Sequence, residues 1–184
     1  MRAFIAIDLE PGIKEALLAL VRDLKATRAD VRWAAAAGMH LTLKFLGPVD
    51  EGQAARVKDV LSKVAGRHGP FRLELRGTGA FPGERSPRVL WVGFADEPAL
   101  AALQSDLEAS LVPEGFEREE RDFRPHLTLG RVKGPQRLAQ AMTELAKHRE
   151  ESFGAMTAAR LTLFESLLRP EGAEYRTVFE VSLS

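Results

Sequence analysis

Apolar positions along this chain follow two periods, one of strands and one of helices, and they alternate from its start. Arg2 to Leu9 is a nearly continuous apolar run that predicts a buried strand, ended by Pro11-Gly12. Ile13, Leu17, Leu20, Val21 and Leu24 then recur at helical spacing, so an amphipathic helix is expected to about Thr27. Val31-Arg32-Trp33 is a short extended piece. His40 to Leu46 alternates as a half-buried strand and stops at Gly47-Pro48. Asp50 or Glu51 opens a second helix that carries Val57, Val60, Leu61 and Val64, and Gly66 with Gly69-Pro70 closes it. Phe71 to Leu75 alternates strictly and predicts a strand. Gly77-Thr78-Gly79 to Pro87, rich in Gly, Pro and Arg, is expected to be a loop.

The second half repeats this plan. Val89 to Phe94 matches the first strand: Phe4 precedes His40 by 36 residues, and Leu90 precedes His126 by 36. Pro98 to Leu111 is the matching helix, with Leu103 and Leu107 standing 86 residues after Leu17 and Val21. Gln136 to Arg149 answers the second helix, Thr157 to Leu163 answers Phe71 to Gly77, and Arg176 to Leu183 is a closing strand. The repeat predicts an α+β chain, 1–184, forming a single bilobal domain from halves at approximately 1–86 and 87–184. Its two pseudo-symmetric lobes would hold mostly antiparallel sheet with helices on the outer faces, around a central groove.

Within this frame one short motif occurs twice. His40-Leu41-Thr42-Leu43 and His126-Leu127-Thr128-Leu129 share the order H-L-T-L and lie 86 residues apart (126 − 40). On a strand, His and Thr share one face and the two Leu share the other, so the Leu pair buries while the His-Thr pair lines a surface. An isolated H-x-T is most simply the polar face of an ordinary strand. Two copies in matching positions predict instead that His40 and His126 face each other across a cleft, with Thr42 and Thr128 holding a phosphate between them.

Composition narrows the chemistry further. The formal charge is zero, so no global field draws in long nucleic acid, and any RNA contact is local. The absence of cysteine excludes disulfides, thiolate catalysis and zinc-thiolate sites. No targeting signal or membrane-spanning run is seen, which leads to the expectation of a soluble, cytoplasmic protein without a membrane partner. His68 and His148 lack a motif and are expected at the surface or as caps. Trp33, Phe45 and Trp91 are expected in the core, and Glu117 to Asp122 as a solvated loop. Lys44, on the alternation, shares the face of His40 and Thr42 and would add positive charge there. Arg72, Arg76, Arg85, Arg88 and Arg124 are candidates for the groove rim, where they would meet RNA phosphates.

The two motifs, read out to His40-Leu41-Thr42-Leu43-Lys44-Phe45-Leu46-Gly47 and Arg124-Pro125-His126-Leu127-Thr128-Leu129-Gly130-Arg131, resemble those of the two-histidine phosphoesterases. Together with Arg2 to Ile7 and Arg88 to Gly93, they resemble most the RNA 2′,3′-cyclic phosphodiesterases, also called the 2′-5′ RNA ligase family. The resemblance implies a bilobal, metal-independent and cofactor-free hydrolase. Such an enzyme opens the 2′,3′-cyclic phosphate at an RNA end to leave a 2′-phosphate, and some members also join tRNA halves through a 2′-5′ linkage. By the same analogy His40 is the proton donor and His126 the proton acceptor. Arg131 matches a position that contacts the phosphate or the RNA. A monomer is expected, since the repeat itself supplies a two-fold groove. The competing readings are a metal-dependent hydrolase, a non-catalytic RNA or nucleotide-binding module, and an enzyme for another cyclic phosphate or a 2′-5′ oligonucleotide. Activity in a chelator separates the first, and loss of function with either histidine separates the second.

Overall fold

Leucines and valines of the alternating segments bury one side of two separate sheets, which the computed structural model describes over residues 1–184. The strands are β1 (Arg2–Asp8), β2 (Val31–Trp33), β3 (His40–Pro48), β4 (Phe71–Phe81), β5 (Val89–Phe94), β6 (His126–Val132), β7 (Ser152–Ala158), β8 (Arg160–Arg169) and β9 (Gly172–Ser182). The helices are α1 (Pro11–Lys25), α2 (Glu51–Ala65), α3 (Pro98–Leu111) and α4 (Leu138–Ala146). One sheet runs β3-β1-β8-β9 and the other β2-β6-β5-β4-β7, with every neighbouring pair antiparallel. This is the expected α+β class with antiparallel sheets.

The two sequence halves exchange strands. β1 pairs with β8 from late in the chain, while β5 pairs with β4 from the first half. The helices cross over too: α1 follows β1 but packs on β7 and α4, and α3 follows β5 but packs on α2 and β3. One continuous apolar core results, joining Ile5 and Leu41 of one sheet to Leu90 and Leu127 of the other through Leu17, Leu61 and Leu103. Burial of such side chains is the main term holding the sheets together.

Three segments differ from the pattern-based expectation. β4 does not end at Leu75 but runs through Gly77-Thr78-Gly79 to Phe81. Gly77 takes a left-handed φ of +79°, which inserts a kink without ending the strand. The expected strand Thr157 to Leu163 is two strands broken at Ala159, where the chain leaves one sheet and enters the other. α4 stops at Ala146, short of Arg149, and α2 begins after Asp50, whose carboxylate accepts from Gln53 N at 2.7 Å while Gln53 Oε1 accepts from Asp50 N at 2.9 Å. No helix is long and apolar enough to cross a membrane.

Candidate active site

β3 and β6 belong to different sheets and come into contact without a shared hydrogen-bond ladder. Their burial patterns are the same through seven positions. In each, His and Thr are half-buried, both Leu are buried, the next residue (Lys44 or Gly130) is buried too, and the one after it (Phe45 or Arg131) is exposed. The register explains this. Ala6 is opposite Thr42 and Ile5 opposite Lys44; Trp91 is opposite Thr128 and Leu90 opposite Gly130. Leu43 and Leu129 are therefore extra residues, a bulge in each motif strand. The bulge returns the third residue after Thr, not the second, to the His-Thr face.

This bulge corrects two expectations and gives a third its place. Lys44 is turned away from the groove and is only 8% exposed; its Nζ donates to Glu108 Oε2 at 3.0 Å and to Glu117 O at 2.7 Å. It ties β3 to α3 and to the 117–125 segment that leads into the second motif, and adds no charge to the groove. Phe45, expected in the core, is 74% exposed. Arg131 stands on the His126-Thr128 face, exposed and without an ion-pair partner, where strict alternation would have turned it away.

His40 sits in an aromatic wall. Its ring stacks on Phe4, with centroids 4.7 Å apart and planes at 25°, lies 5.4 Å from Phe164, and takes the edge of Tyr175 at 5.1 Å. Burial in this wall lowers its pKa from 6.5 to about 4; Asp8, opposite it on β1, pulls the other way, and Lys14, 2.9 Å from Asp8, adds a small lowering. His126 has a different setting. Its Nδ1 is 2.7 Å from the carbonyl oxygen of Arg124, which only accepts, so Nδ1 carries the hydrogen and Nε2 is left for the groove. Phe81 presents an edge contact at 4.9 Å.

Beside His126 opens a cleft of about 380 Å³, lined among others by Arg76, Phe81, Trp91, Phe123, Arg124 and Arg149. Trp91, expected in the core, lies on the floor of this cleft. It faces Gly79 across the β4–β5 ladder, and a Cβ there would come within 2.3 Å of its indole. Trp33 is where it was expected, packed on the inner side at Gly130. Arg76 and Arg124 line the cleft, whereas Arg72 pairs with Glu74 elsewhere on the surface. His68 lies 2.7 Å from Asp106 and His148 bonds Glu151; both rings are half-buried rather than at the surface. Phe4, Phe164 and Tyr175 were not legible in the sequence as neighbours of His40, because only the pairing of β1 with β3 and β8, and of β8 with β9, brings their rings beside it. No three His, Asp or Glu side chains are grouped so as to hold a metal ion.

Comparison with known proteins follows the same lines. Residues 12–168 match the family model of the 2′-5′ RNA ligase superfamily. An RNA 2′,3′-cyclic phosphodiesterase of Methanothermobacter thermautotrophicus is 37% identical over 178 residues, covering 95% of each chain. One of Archaeoglobus fulgidus is 36% identical over 182 residues, covering 98% of this chain and 100% of the relative. Among solved structures, TT0787 of Thermus thermophilus superposes with a TM-score of 0.84 at 28% identity, covering 100% of this chain and 98% of the other. E. coli LigT complexed with 3′-AMP gives 0.77 at 28%, with the same coverage. With matched motif strands on two exchanged sheets, and with relatives along its whole length, this chain belongs to the 2′-5′ RNA ligase superfamily.

Proposed function

We propose that this protein hydrolyses the 2′,3′-cyclic phosphate at an RNA end to a 2′-phosphate, with His40 as proton donor and His126 as proton acceptor. The observation that supports the reading is the paired motif strand: two H-x-T faces, bulged at the same position, on strands of two different sheets that come into contact. Water attacks phosphorus as His126 Nε2 takes its proton, and the P–O3′ bond breaks as His40 protonates the leaving oxygen. Thr42 and Thr128 donate to the non-bridging oxygens, on which charge grows in the transition state. Arg131 meets the phosphate or the adjoining RNA, and Arg124 the substrate from the cleft beside His126.

The proton on His40 has to come with the substrate. With a pKa near 4 the ring is neutral in the empty groove, and a phosphate anion beside it favours the imidazolium. The acceptor role of His126 fits its fixed Nδ1–H. With the 5′-hydroxyl of a second RNA end attacking in place of water, the same step would form P–O5′ as P–O3′ breaks and would join two RNA ends, tRNA halves among them, through a 2′-5′ linkage. We place the reaction in the cytoplasm and in a monomer, since one chain supplies both motifs.

The test is incubation of the purified protein, in excess EDTA, with a short RNA ending in a 2′,3′-cyclic phosphate, beside His40→Ala and His126→Ala. A 2′-phosphate product that is lost in both variants is expected. A requirement for added metal, or survival of the activity without either histidine, overturns the mechanism. A 3′-phosphate product keeps the site but assigns the other bond.

A further inference from the structure

The segment from Glu117 to Pro125 leads into the second motif strand, yet it forms no backbone–backbone hydrogen bond with any part of the chain. Three hydrogen bonds join it to the rest of the protein: Lys44 Nζ donates to Glu117 O at 2.7 Å, Glu119 N to Glu108 Oε2 at 3.3 Å, and His126 Nδ1 to Arg124 O at 2.7 Å. Phe123 packs on the core, and the residues from Glu117 to Asp122 are exposed. The approach to the first motif is built differently. There Ala34 N donates to Leu129 O at 2.8 Å and Met39 N to Ala36 O at 3.1 Å, and the Met39 side chain is buried.

Two of the three bonds on the segment come from one ion pair. Lys44 and Glu108 are both buried and lie 3.0 Å apart. Burying two charges forfeits their hydration, and an apolar pair of similar volume packs as well or better. What an apolar pair cannot do is bond to Glu117 O and Glu119 N. The second motif strand has Gly130 at the position of Lys44, with no ion pair behind it, so the repeat alone does not call for one. The other end of the segment meets the chemistry. The Arg124 carbonyl holds the ring hydrogen of His126 on Nδ1 and leaves Nε2 open.

We infer that Lys44 and Glu108 are positioning residues for His126: their buried pair fastens the segment 117–125, and the Arg124 carbonyl on that segment fixes the tautomer of the acceptor ring. The inference rests on the proposed reaction for the role of His126, whereas the fastening is independent of it. With the pair removed, the segment is held between its ends by Phe123 and the ring alone. The hydrogen then moves between the two nitrogens, and a ring carrying it on Nε2 takes no proton from water there. Thr42, Thr128 and Arg131 stand on strands that the segment does not hold, so a ligand phosphate is bound as before.

The experiment compares Lys44→Met/Glu108→Leu with the unaltered protein by proteolysis, spectroscopy and turnover. Trypsin should cut after Arg118 and Arg121 about tenfold faster in the double variant. In nuclear magnetic resonance with isotope-labelled histidine, the two ring nitrogens of His126 should be well separated in the unaltered protein and draw together in the variant. For an RNA end with a 2′,3′-cyclic phosphate, kcat should fall about tenfold to hundredfold, while affinity for a nucleoside 2′-phosphate stays the same. A folded double variant with unchanged cleavage, or with faster cleavage and unchanged His126 shifts, overturns the inference. If the unaltered protein turns over no RNA end, the proposed reaction is wrong, and cleavage and shifts alone decide the fastening. If the double variant does not fold, hydrogen exchange in the unaltered protein decides. A Glu119 amide that exchanges about tenfold more slowly than that of Glu120, with the His126 hydrogen on Nδ1, upholds the inference, and equal rates overturn it.

Discussion

Phe4 lies nearly parallel to His40, ring on ring at 4.7 Å, and is part of the burial that sets the charge state of the proposed proton donor. It keeps water from the imidazole, so the folded chain resists protonation down to about pH 4, whereas the unfolded chain takes a proton near 6.5. Above pH 6.5 both states are neutral and nothing is lost. As pH falls from 6.5 through 4, the unfolded state binds the proton first and stability drops. Between pH 7 and pH 4.5 the loss attributable to this residue is about 2–3 kcal/mol. Urea unfolding at the two pH values should show it, and His40→Gln should have a pH slope shallower by that amount. An identical slope in the variant would place the acid sensitivity elsewhere.

The same ring predicts proton uptake on ligand binding. An anion in the groove stabilises the imidazolium that burial disfavours, so inorganic phosphate or a nucleoside 2′-phosphate should bind more tightly as pH falls from 7 to 5. Calorimetry in buffers of different ionisation enthalpy should register uptake of close to one proton near pH 6, lost in His40→Gln. Binding without proton uptake would mean that His40 stays neutral beside the phosphate and acts as the acceptor, reversing the assignment.

Lys44 and Glu108 give a prediction that separates packing from chemistry. Lys44→Ala leaves the Glu108 carboxylate buried without its cation, with one oxygen already unpartnered, and should cost about 3–5 kcal/mol. Lys44→Met with Glu108→Leu removes both charges and should recover most of that loss in a denaturant titration. Because the ammonium faces α3 and not the groove, the double variant should keep its affinity for a nucleoside 2′-phosphate. Weak binding by a stably folded double variant would restore Lys44 to the groove.

The expectation for Lys44 failed for a physical reason that also marks how far this sequence was legible. Period-two alternation placed His40, Thr42, His126 and Thr128 on shared faces, and the ladders agree. It has no means of seeing a bulge, because an extra Leu in H-L-T-L-K or H-L-T-L-G looks like the next step of the same alternation. Everything downstream on the strand is then turned over, which exchanges Lys44 for Phe45. The repeat foretold the element types but not the exchange of β4 and β8 between sheets, since pairing partners far apart in sequence leave no local trace.

Gly79 offers the last test, because its role depends on Trp91 lying flat over it. A Cβ at Gly79 would stand 2.3 Å from the indole, whereas one at Gly83 meets nothing within 4 Å. The indole is the floor of the cleft beside His126, so Gly79→Ala must lift it or tilt it toward the substrate. Overpacking of this kind should cost about 1–3 kcal/mol of stability. It should also lower kcat/KM for an RNA end and shift the tryptophan emission, with Trp33 as the unchanged background on the inner side. Gly83→Ala should leave stability, emission and turnover as they were. If Gly79→Ala loses stability yet turns over RNA normally, the cleft floor takes no part in holding the substrate, and Trp91 serves only to pack the sheet.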